Sequence, residues 1–336
     1  MAQALGLLIL SFFLTSILLV PFIDLLYKLK LRKRDAKGMD AFSQATPIYN
    51  KLHAYKVGVP IGAGLLIIAV TTILTLWSYG LLGLKAKPWE LFVLLFAFIS
   101  FGALGLYDDI RKTFGYNKSG FFGLRLRHKL AIQTLLAFII SIIFFWKLGF
   151  DFIYIHWLGR LDIGFLFIPL AVFIIVAFAN AFNITDGLDG LSAGLALICL
   201  LAFWVIASQL LDPTLAVFLA VWIGALIAFL YFNIFPARVL LGDTGALAFG
   251  ATLAVVGLLT GKITALAVVG GVFVIEAASS LIQLLSKKYR GKKFFTVAPI
   301  HLYFQHRGWE EPKVVMRFWL AGIMFAVLGL WIAMIK

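Results

Sequence analysis

The chain has 336 residues, 63% hydrophobic and 13% charged, with a mean hydropathy of +1.04. A water-soluble domain cannot hide that much apolar surface, whereas lipid accepts it, so the composition excludes a soluble protein and leaves a polytopic membrane protein. The net charge of +14 invites a nucleic-acid partner, but no motif supports one, and retention on an anionic lipid leaflet accounts for most of these cations.

A helical crossing needs about 20 apolar residues. Runs of that kind predict ten spans, at 3–26, 58–79, 90–107, 130–148, 163–182, 191–210, 214–232, 245–260, 263–285 and 316–334. The first run lacks a basic leader and a small-residue cleavage site, so it reads as a span rather than a signal peptide. Cys199, the single cysteine, sits in an apolar run and carries no redox information. Short connections near 80–89, 149–162, 211–213 and 261–262 alternate with longer, more polar ones. Residues 27–57, 108–129, 233–244 and 286–317 hold 8, 6, 1 and 8 of the lysines and arginines, 23 of 29. By the positive-inside rule these segments are cytoplasmic, which puts both termini on the extracytoplasmic face. The expected fold is an all-α polytopic integral membrane protein, a single transmembrane domain over 1–336. Its cytoplasmic loops near 27–57, 108–129, 183–190, 233–244 and 286–315 are expected to form the site.

Of only 15 acidic residues, Asp108, Asp109, Asp186, Asp189 and Asp243 all fall at the cytoplasmic ends of predicted spans. Carboxylates at a membrane boundary are costly and point to function, although any one of them could simply stop a span or favour a helix N-terminus. Adjacent Asp108 and Asp109 repel, so at least one must be protonated or both must face a cation, as in a metal or general-base site. In Asn180-Ala-Phe-Asn183-Ile-Thr-Asp186-Gly-Leu-Asp189-Gly190, four oxygen-bearing side chains recur at a spacing of three. On a regular helix they sweep about half the circumference, and a tighter turn or a break at Gly187 gathers them on one side. Amide and carboxylate oxygens suit hard divalent cations. An Asx-capped helix end explains one or two of the four.

Asn233-Ile-Phe-Pro-Ala-Arg238 and Leu241-Gly-Asp243-Thr-Gly245 follow, with Asp243 placed to open the next helix; alone, the second is also a turn with a helix cap. Glu276 is the one acidic residue deep in a span; for it and Gln283, hydrogen bonding between helices competes with ligand contact. The last loop carries a basic run, Lys287 to Lys293, and Pro299-Ile-His301-Leu-Tyr-Phe-Gln-His-Arg-Gly-Trp309. His301 has the chemistry of an acid–base or phosphate-contacting group, against a structural role.

Taken in order, these motifs resemble the polyprenyl-phosphate N-acetylhexosamine-1-phosphate transferases, and within them the bacterial phospho-N-acetylmuramoyl-pentapeptide branch. The resemblance runs from Lys56-Val-Gly-Val-Pro-Ile-Gly-Ala-Gly64 through YDDI, NAFNITDGLDG, YFNIFPAR, GDTG and VFVIEAASSLIQ to APIHLYFQHRGWEEPKVVMRFW, nearly the whole chain. It implies transfer of a phospho-sugar from a UDP-linked donor to undecaprenyl phosphate, with Mg²⁺, releasing UMP and forming lipid I at the cytoplasmic face of a bacterial inner membrane. Chemistry of that kind joins two anions, which a divalent cation and nearby lysines offset. The resemblance assigns Asp243, with Asn183 as second candidate, to the Mg²⁺. Asp108 and Asp109 match the family's aspartate pair, one of them a base or a metal-positioning group, and His301 opens its histidine motif. Lys56 matches a phosphate-contacting lysine. Asn180, Asp186, Asp189, Asn233 and Gln283 match nucleotide-site or site-shaping positions. Three departures stand out: the family's triple histidine reads His301-Leu302-Tyr303, its following glutamate reads Gln305, and its Thr-Pro-Thr-Met-Gly-Gly stretch reads Val59-Pro-Ile-Gly-Ala-Gly64. Many members of the family associate as homodimers; this sequence fixes no oligomeric state.

Three other readings compete. Transfer of N-acetylglucosamine-1-phosphate or a related sugar phosphate uses the same core. A transporter places charges at mid-membrane, often in two repeated halves, and no internal repeat occurs here. A catalytically silent relative would keep the fold and lose turnover.

Overall fold

A computed structural model describes residues 2–33, 50, 52, 54–81, 83, 86–115, 124–155 and 158–335. Parts of two expected loops, residues 34–49 and 116–123, lie outside the described residues. Among the rest, the helices are α1 (Ala2–Lys28), α2 (Ala63–Leu81), α3 (Pro88–Phe114), α4 (Leu126–Trp146), α5 (Phe167–Thr185) and α6 (Leu191–Gln209). They continue as α7 (Pro213–Asn233), α8 (Gly242–Leu259), α9 (Ile263–Val269), α10 (Gly271–Arg290), α11 (Ile300–His306) and α12 (Glu311–Met334). Nine of the described helices are long and apolar enough to cross a membrane, and α9 with α10 makes a tenth, broken span. The all-α polytopic fold read from the sequence is the one observed.

Three boundaries differ from expectation. The span at 263–285 is two helices meeting at 76°. Gly270 packs against the Phe178 ring and Gly271 against that of Phe325, and a Cβ at either would overlap the ring. The connection at 149–162 is a hairpin, β1 (Phe152–Ile155) antiparallel to β2 (Gly159–Asp162). Asp108 and Asp109 lie inside a helix rather than in a loop, because α3 runs on to a left-handed cap at Gly115.

The apolar pattern sets the layers. Over its most apolar stretch α8 is 83% buried, against 22% for α1 and for α12, so α8 is the central pillar and the other two are peripheral. Its sequence GDTGALAFGATLAVVG makes this possible, since small residues let helix backbones approach where lipid provides no hydrophobic drive. A Cβ on Gly250 would overlap the backbone of Phe178 and Ala179 in α5, and one on Gly64 of α2 would overlap Gly245 of α8. Gly105 of α3 sits in the same way against Asp243 and Thr244. The start of α8 is therefore clasped between α2 and α3. Aromatic rings fill the space further down, with Phe98, Trp222 and Phe249 in mutual contact.

Candidate active site

At the clasped end of α8, three helices bring charges together. Asp108 and Lys112 are one turn apart on α3, Asp243 is in the first turn of α8, and Lys129 is in the first turn of α4. The Lys112 ammonium lies 2.8 Å from Asp243 Oδ2 and 3.1 Å from Asp108 Oδ2. Lys129 bridges the same two oxygens, 3.0 Å from Asp108 and in short contact with Asp243. Buried charges are tolerated only when paired, and these side chains are largely withdrawn from solvent, Asp108 2% and Asp243 14% exposed. Lys112, 42% exposed, is the more accessible of the two lysines, Lys129 being 12% exposed.

The adjacent aspartates avoid each other's field by facing different partners. Asp108 Oδ1 accepts the Leu124 amide at 2.7 Å while Oδ2 takes the lysines. Asp109 instead caps α8: it accepts the amides of Asp243 and Thr244 at 3.0 and 2.9 Å, and the Thr244 hydroxyl at 2.7 Å. Helix N-terminal amides and the dipole favour a carboxylate there. Asp109 thus fixes the backbone that carries Asp243, and Asp108 and Asp243 are left to share a face. Asp108 and Asp243 thus face the two ammonium groups of Lys112 and Lys129 together.

A second cluster lies at the turn after α5. The Lys56 ammonium touches Asp189 Oδ1 at 2.7 Å, Glu311 Oε1 at 2.9 Å and the Gly187 carbonyl at 2.9 Å, with its side chain 3% exposed. Glu311 also accepts the Asp189 amide at 2.6 Å and the Tyr55 hydroxyl, while Asp189 accepts the Ala237 amide at 2.9 Å. Lys56 is thereby saturated by protein acceptors and ties the loop before α2, the turn after α5 and the start of α12 into one unit. Asn233 Oδ1 holds the Gly190 amide at 3.1 Å and its Nδ2 the Val239 carbonyl at 2.9 Å, joining the same turn to the chain before α8. Burial pushes the Asp186 carboxyl up to about 6, opposed by the hydroxyl of Ser192 and the charge of Lys56, with Asp243 adding to the rise. Burial and then the Lys56 charge pull nearby Lys33 down to about 8, against the carboxylates of Asp186, Asp189 and Glu311.

The remaining candidates shape this end of the bundle. Asn180 donates to Gln133 Oε1 of α4 at 2.7 Å and to the Val176 carbonyl at 2.8 Å, an interhelical contact. Asn183 is half-buried near the end of α5. Helix α10 turns polar side chains inward (Glu276, Ser279, Gln283, Ser286) and apolar ones such as Leu281 and Leu285 outward, the inverse of a soluble helix. Gln283 holds the segment before α11 through the amides of Phe294 and Phe295 at 3.0 and 2.8 Å and the Phe295 carbonyl at 3.0 Å. His301 opens α11 and is paired with Glu276.

The sequence singled out the aspartates but not their partners. Lys112 has a signal, its i,i+4 spacing from Asp108 on one helix face. Lys129, Glu311 and Tyr55 have none, because their partners are far away along the chain. The residues also suit a divalent ion. Asp108 and Asp243 offer the carboxylate oxygens a hard cation prefers, and one doubly charged ion matches the two ammonium groups now held there. Among the described residues, however, no group of three or more His, Cys, Asp or Glu is assembled to hold a metal, so further oxygens would come from substrate or water.

Fold and site define a class: a polytopic membrane protein that gathers buried acids and lysines at one end of its bundle, around a helix N-terminus. Residues 91–261 match the family described as glycosyl transferase family 4. The chain is 41% identical over 276 residues to a phospho-N-acetylmuramoyl-pentapeptide-transferase of Caldanaerobacter subterraneus subsp. tengcongensis, covering 82% of this chain and 84% of the relative. It is 37% identical over 330 residues to that of Geobacillus sp. (strain WCH70), 96% of each chain, and 36% identical over 328 residues to that of Limosilactobacillus reuteri, 96% of this chain and 95% of the relative. The chain belongs to the phospho-N-acetylmuramoyl-pentapeptide-transferase family.

Proposed function

We propose that the protein transfers phospho-N-acetylmuramoyl-pentapeptide from its UDP-linked donor to undecaprenyl phosphate, giving lipid I and UMP. The observation that carries this is the shared Asp108–Asp243–Lys112–Lys129 cluster at the end of a membrane bundle. A lipid-borne phosphate and a water-borne pyrophosphate can meet only at such a boundary. In the reaction a phosphate oxygen of the lipid bonds to the sugar-bearing phosphorus, and the bond from that phosphorus to the UMP oxygen breaks.

Asp243 with Asp108 or Asn183 would hold Mg²⁺, which would supply charge neutralisation of the phosphates. Lys112 and Lys129 turn from the carboxylates to the incoming phosphates, exchanging one anionic partner for another. Asp108, freed of the lysines, accepts a proton from the lipid phosphate or positions the ion. Asp109 keeps the start of α8 in register. The Lys56–Asp189–Glu311 unit holds the turn bearing Asp186, which with Gln283 and Asn233 borders the donor site.

Orientation follows from charge. Helix α1 runs toward the site and α12 begins beside it, so residues 2 and 335 lie at the far end of the bundle. By the positive-inside rule, the basic segments around the site support a cytoplasmic-facing site in a bacterial inner membrane, with the termini outside.

A second reading, transfer of N-acetylglucosamine-1-phosphate, is favoured by one feature. In His301-Leu302-Tyr303, Leu302 turns into the core at 3% exposure and the Tyr303 hydroxyl accepts from Arg307 at 2.7 and 3.0 Å, so two positions present no imidazole. The test is the full chain in lipid nanodiscs with undecaprenyl phosphate, Mg²⁺ and each UDP-sugar in turn. UMP release with the muramoyl-pentapeptide donor supports the first reading, and release with UDP-N-acetylglucosamine alone transfers it to the second. Release with neither refutes both.

A further inference from the structure

Glu276 is a carboxylate at 0% exposure in the second turn of α10, and none of the steps above uses it. Its two oxygens go to one residue. Oε1 accepts the His301 backbone amide at 3.1 Å, and Oε2 lies 2.9 Å from Nδ1 of the same side chain. His301 is itself 1% exposed. The other edge of the ring faces the turn after α5: a Cβ built on Gly187 would come 2.5 Å from Nε2. Only a glycine lets the ring lie there. The carbonyl of Gly187 receives the Lys56 ammonium, and Asp186 and Asp189 flank it in sequence.

We infer that Glu276 is a positioning residue that keeps the proton of His301 on Nδ1 and thereby turns a basic Nε2 toward the Asp186–Gly190 turn of the active site. The backbone amide can only donate, so it assigns Oε1 as an acceptor. Imidazole is a stronger base than a carboxylate, so the shared proton resides on Nδ1 rather than on Oε2. A ring fixed in this way offers Nε2 to a donor on the substrate side, the arrangement by which an orienting carboxylate selects a histidine tautomer. A purely structural tie is served as well by glutamine, which avoids the cost of burying an ionised group. The carboxylate is what a tautomer-setting role requires.

Glu276→Gln separates the two accounts, because the amide keeps both hydrogen bonds but reverses one. Its oxygen still accepts the His301 amide, so its NH₂ must face Nδ1, which becomes an acceptor and moves the proton to Nε2. The full chain, ¹⁵N-labelled at its five histidines, is reconstituted in nanodiscs and His301 assigned by its loss in His301→Gln. The expected result is Nδ1–H in the wild type and Nε2–H in Glu276→Gln, with the melting transition kept. In the transferase assay, which rests on the proposed function, kcat should fall by about 10²-fold or more, the scale of acid–base catalysis, while the KM for the UDP-donor shifts by less than about threefold.

An Nε2–H tautomer in the wild type overturns the proposal. So does Nδ1–H retained in Glu276→Gln, or a switched tautomer with kcat within about threefold of wild type. If Glu276→Gln does not fold, the wild-type spectrum still decides the tautomer. If the wild type turns over neither donor, the transferase reading fails while the spectra continue to test the positioning.

Discussion

A single methyl group at Gly105 should disable the site without touching any charged side chain. In an exposed stretch of helix, Gly→Ala stabilises by about 1 kcal/mol, since alanine loses less backbone entropy. At Gly105 the new carbon would sit 2.6 Å from Thr244 Cα and closer still to the Asp243 carbonyl. Carbon atoms pack at about 3.5–4.0 Å, so α3 and α8 must part by about 1 Å at this point. Backbone cannot rotate aside as a side chain can, so overpacking should cost about 1–3 kcal/mol and outweigh the propensity gain. The same 1 Å separates Asp108 from Asp243 and stretches the three hydrogen bonds through which Asp109 caps α8. A misplacement of that size costs on the order of 10² in rate. Gly80→Ala on α2 is the control, because a Cβ there meets nothing within 4 Å. UMP release and melting temperature are measured for both variants in nanodiscs. If Gly105→Ala turns over at the control's rate, the close approach of α3 and α8 does not set the site's geometry.

The other predictions address the charges themselves. Asp243→Ala should lower turnover by about 10³-fold while the protein stays folded in detergent, and near-normal UMP release would remove Asp243 from the phosphate chemistry. Mg²⁺ should raise the melting temperature of the wild type but not of Asp243→Ala, and a chelator should abolish UMP release until Mg²⁺ is returned; an equal thermal shift in both proteins would place the ion elsewhere. Lys56→Met strands the buried carboxylates of Asp189 and Glu311 and should cost about 3–5 kcal/mol, read as reduced thermal stability in detergent. A loss below about 1 kcal/mol would show that the cluster is dispensable. Asp186 takes up a proton near pH 6 when folded and near pH 4 when unfolded, so the folded chain binds more protons between these values and gains stability as pH falls from about 6 to about 4. The wild type should therefore gain on Asp186→Asn by about 1–3 kcal/mol over that range, in paired thermal melts; a constant difference would place Asp186 in water.

Hydropathy carried most of the fold, because each span is a local property of about 20 residues. It did not reveal the break at Gly270, whose close neighbours Phe178 and Phe325 come from other helices. The aspartates were legible for the same local reason: a carboxylate at the end of an apolar run is conspicuous. Their roles were not. Asp108 and Asp109 are identical in sequence terms, yet a rotation of 100° between neighbours on a helix sends one to the lysines and the other to the N-terminus of α8. The family resemblance implies a phosphate contact for Lys56, whereas its ammonium is held by Asp189 and Glu311, the latter 255 residues away. These cases share a cause. A buried charge must find a partner wherever the fold provides one, and that partner's position in the sequence is unconstrained. The glycines of α2, α3 and α8 decide which charges can meet, since they set how closely the helices approach. With the start of α8 clasped by Gly64 and Gly105, Asp243 cannot withdraw from Asp108, and the two carboxylates must share whatever cations the fold brings to them, the ammonium groups of Lys112 and Lys129.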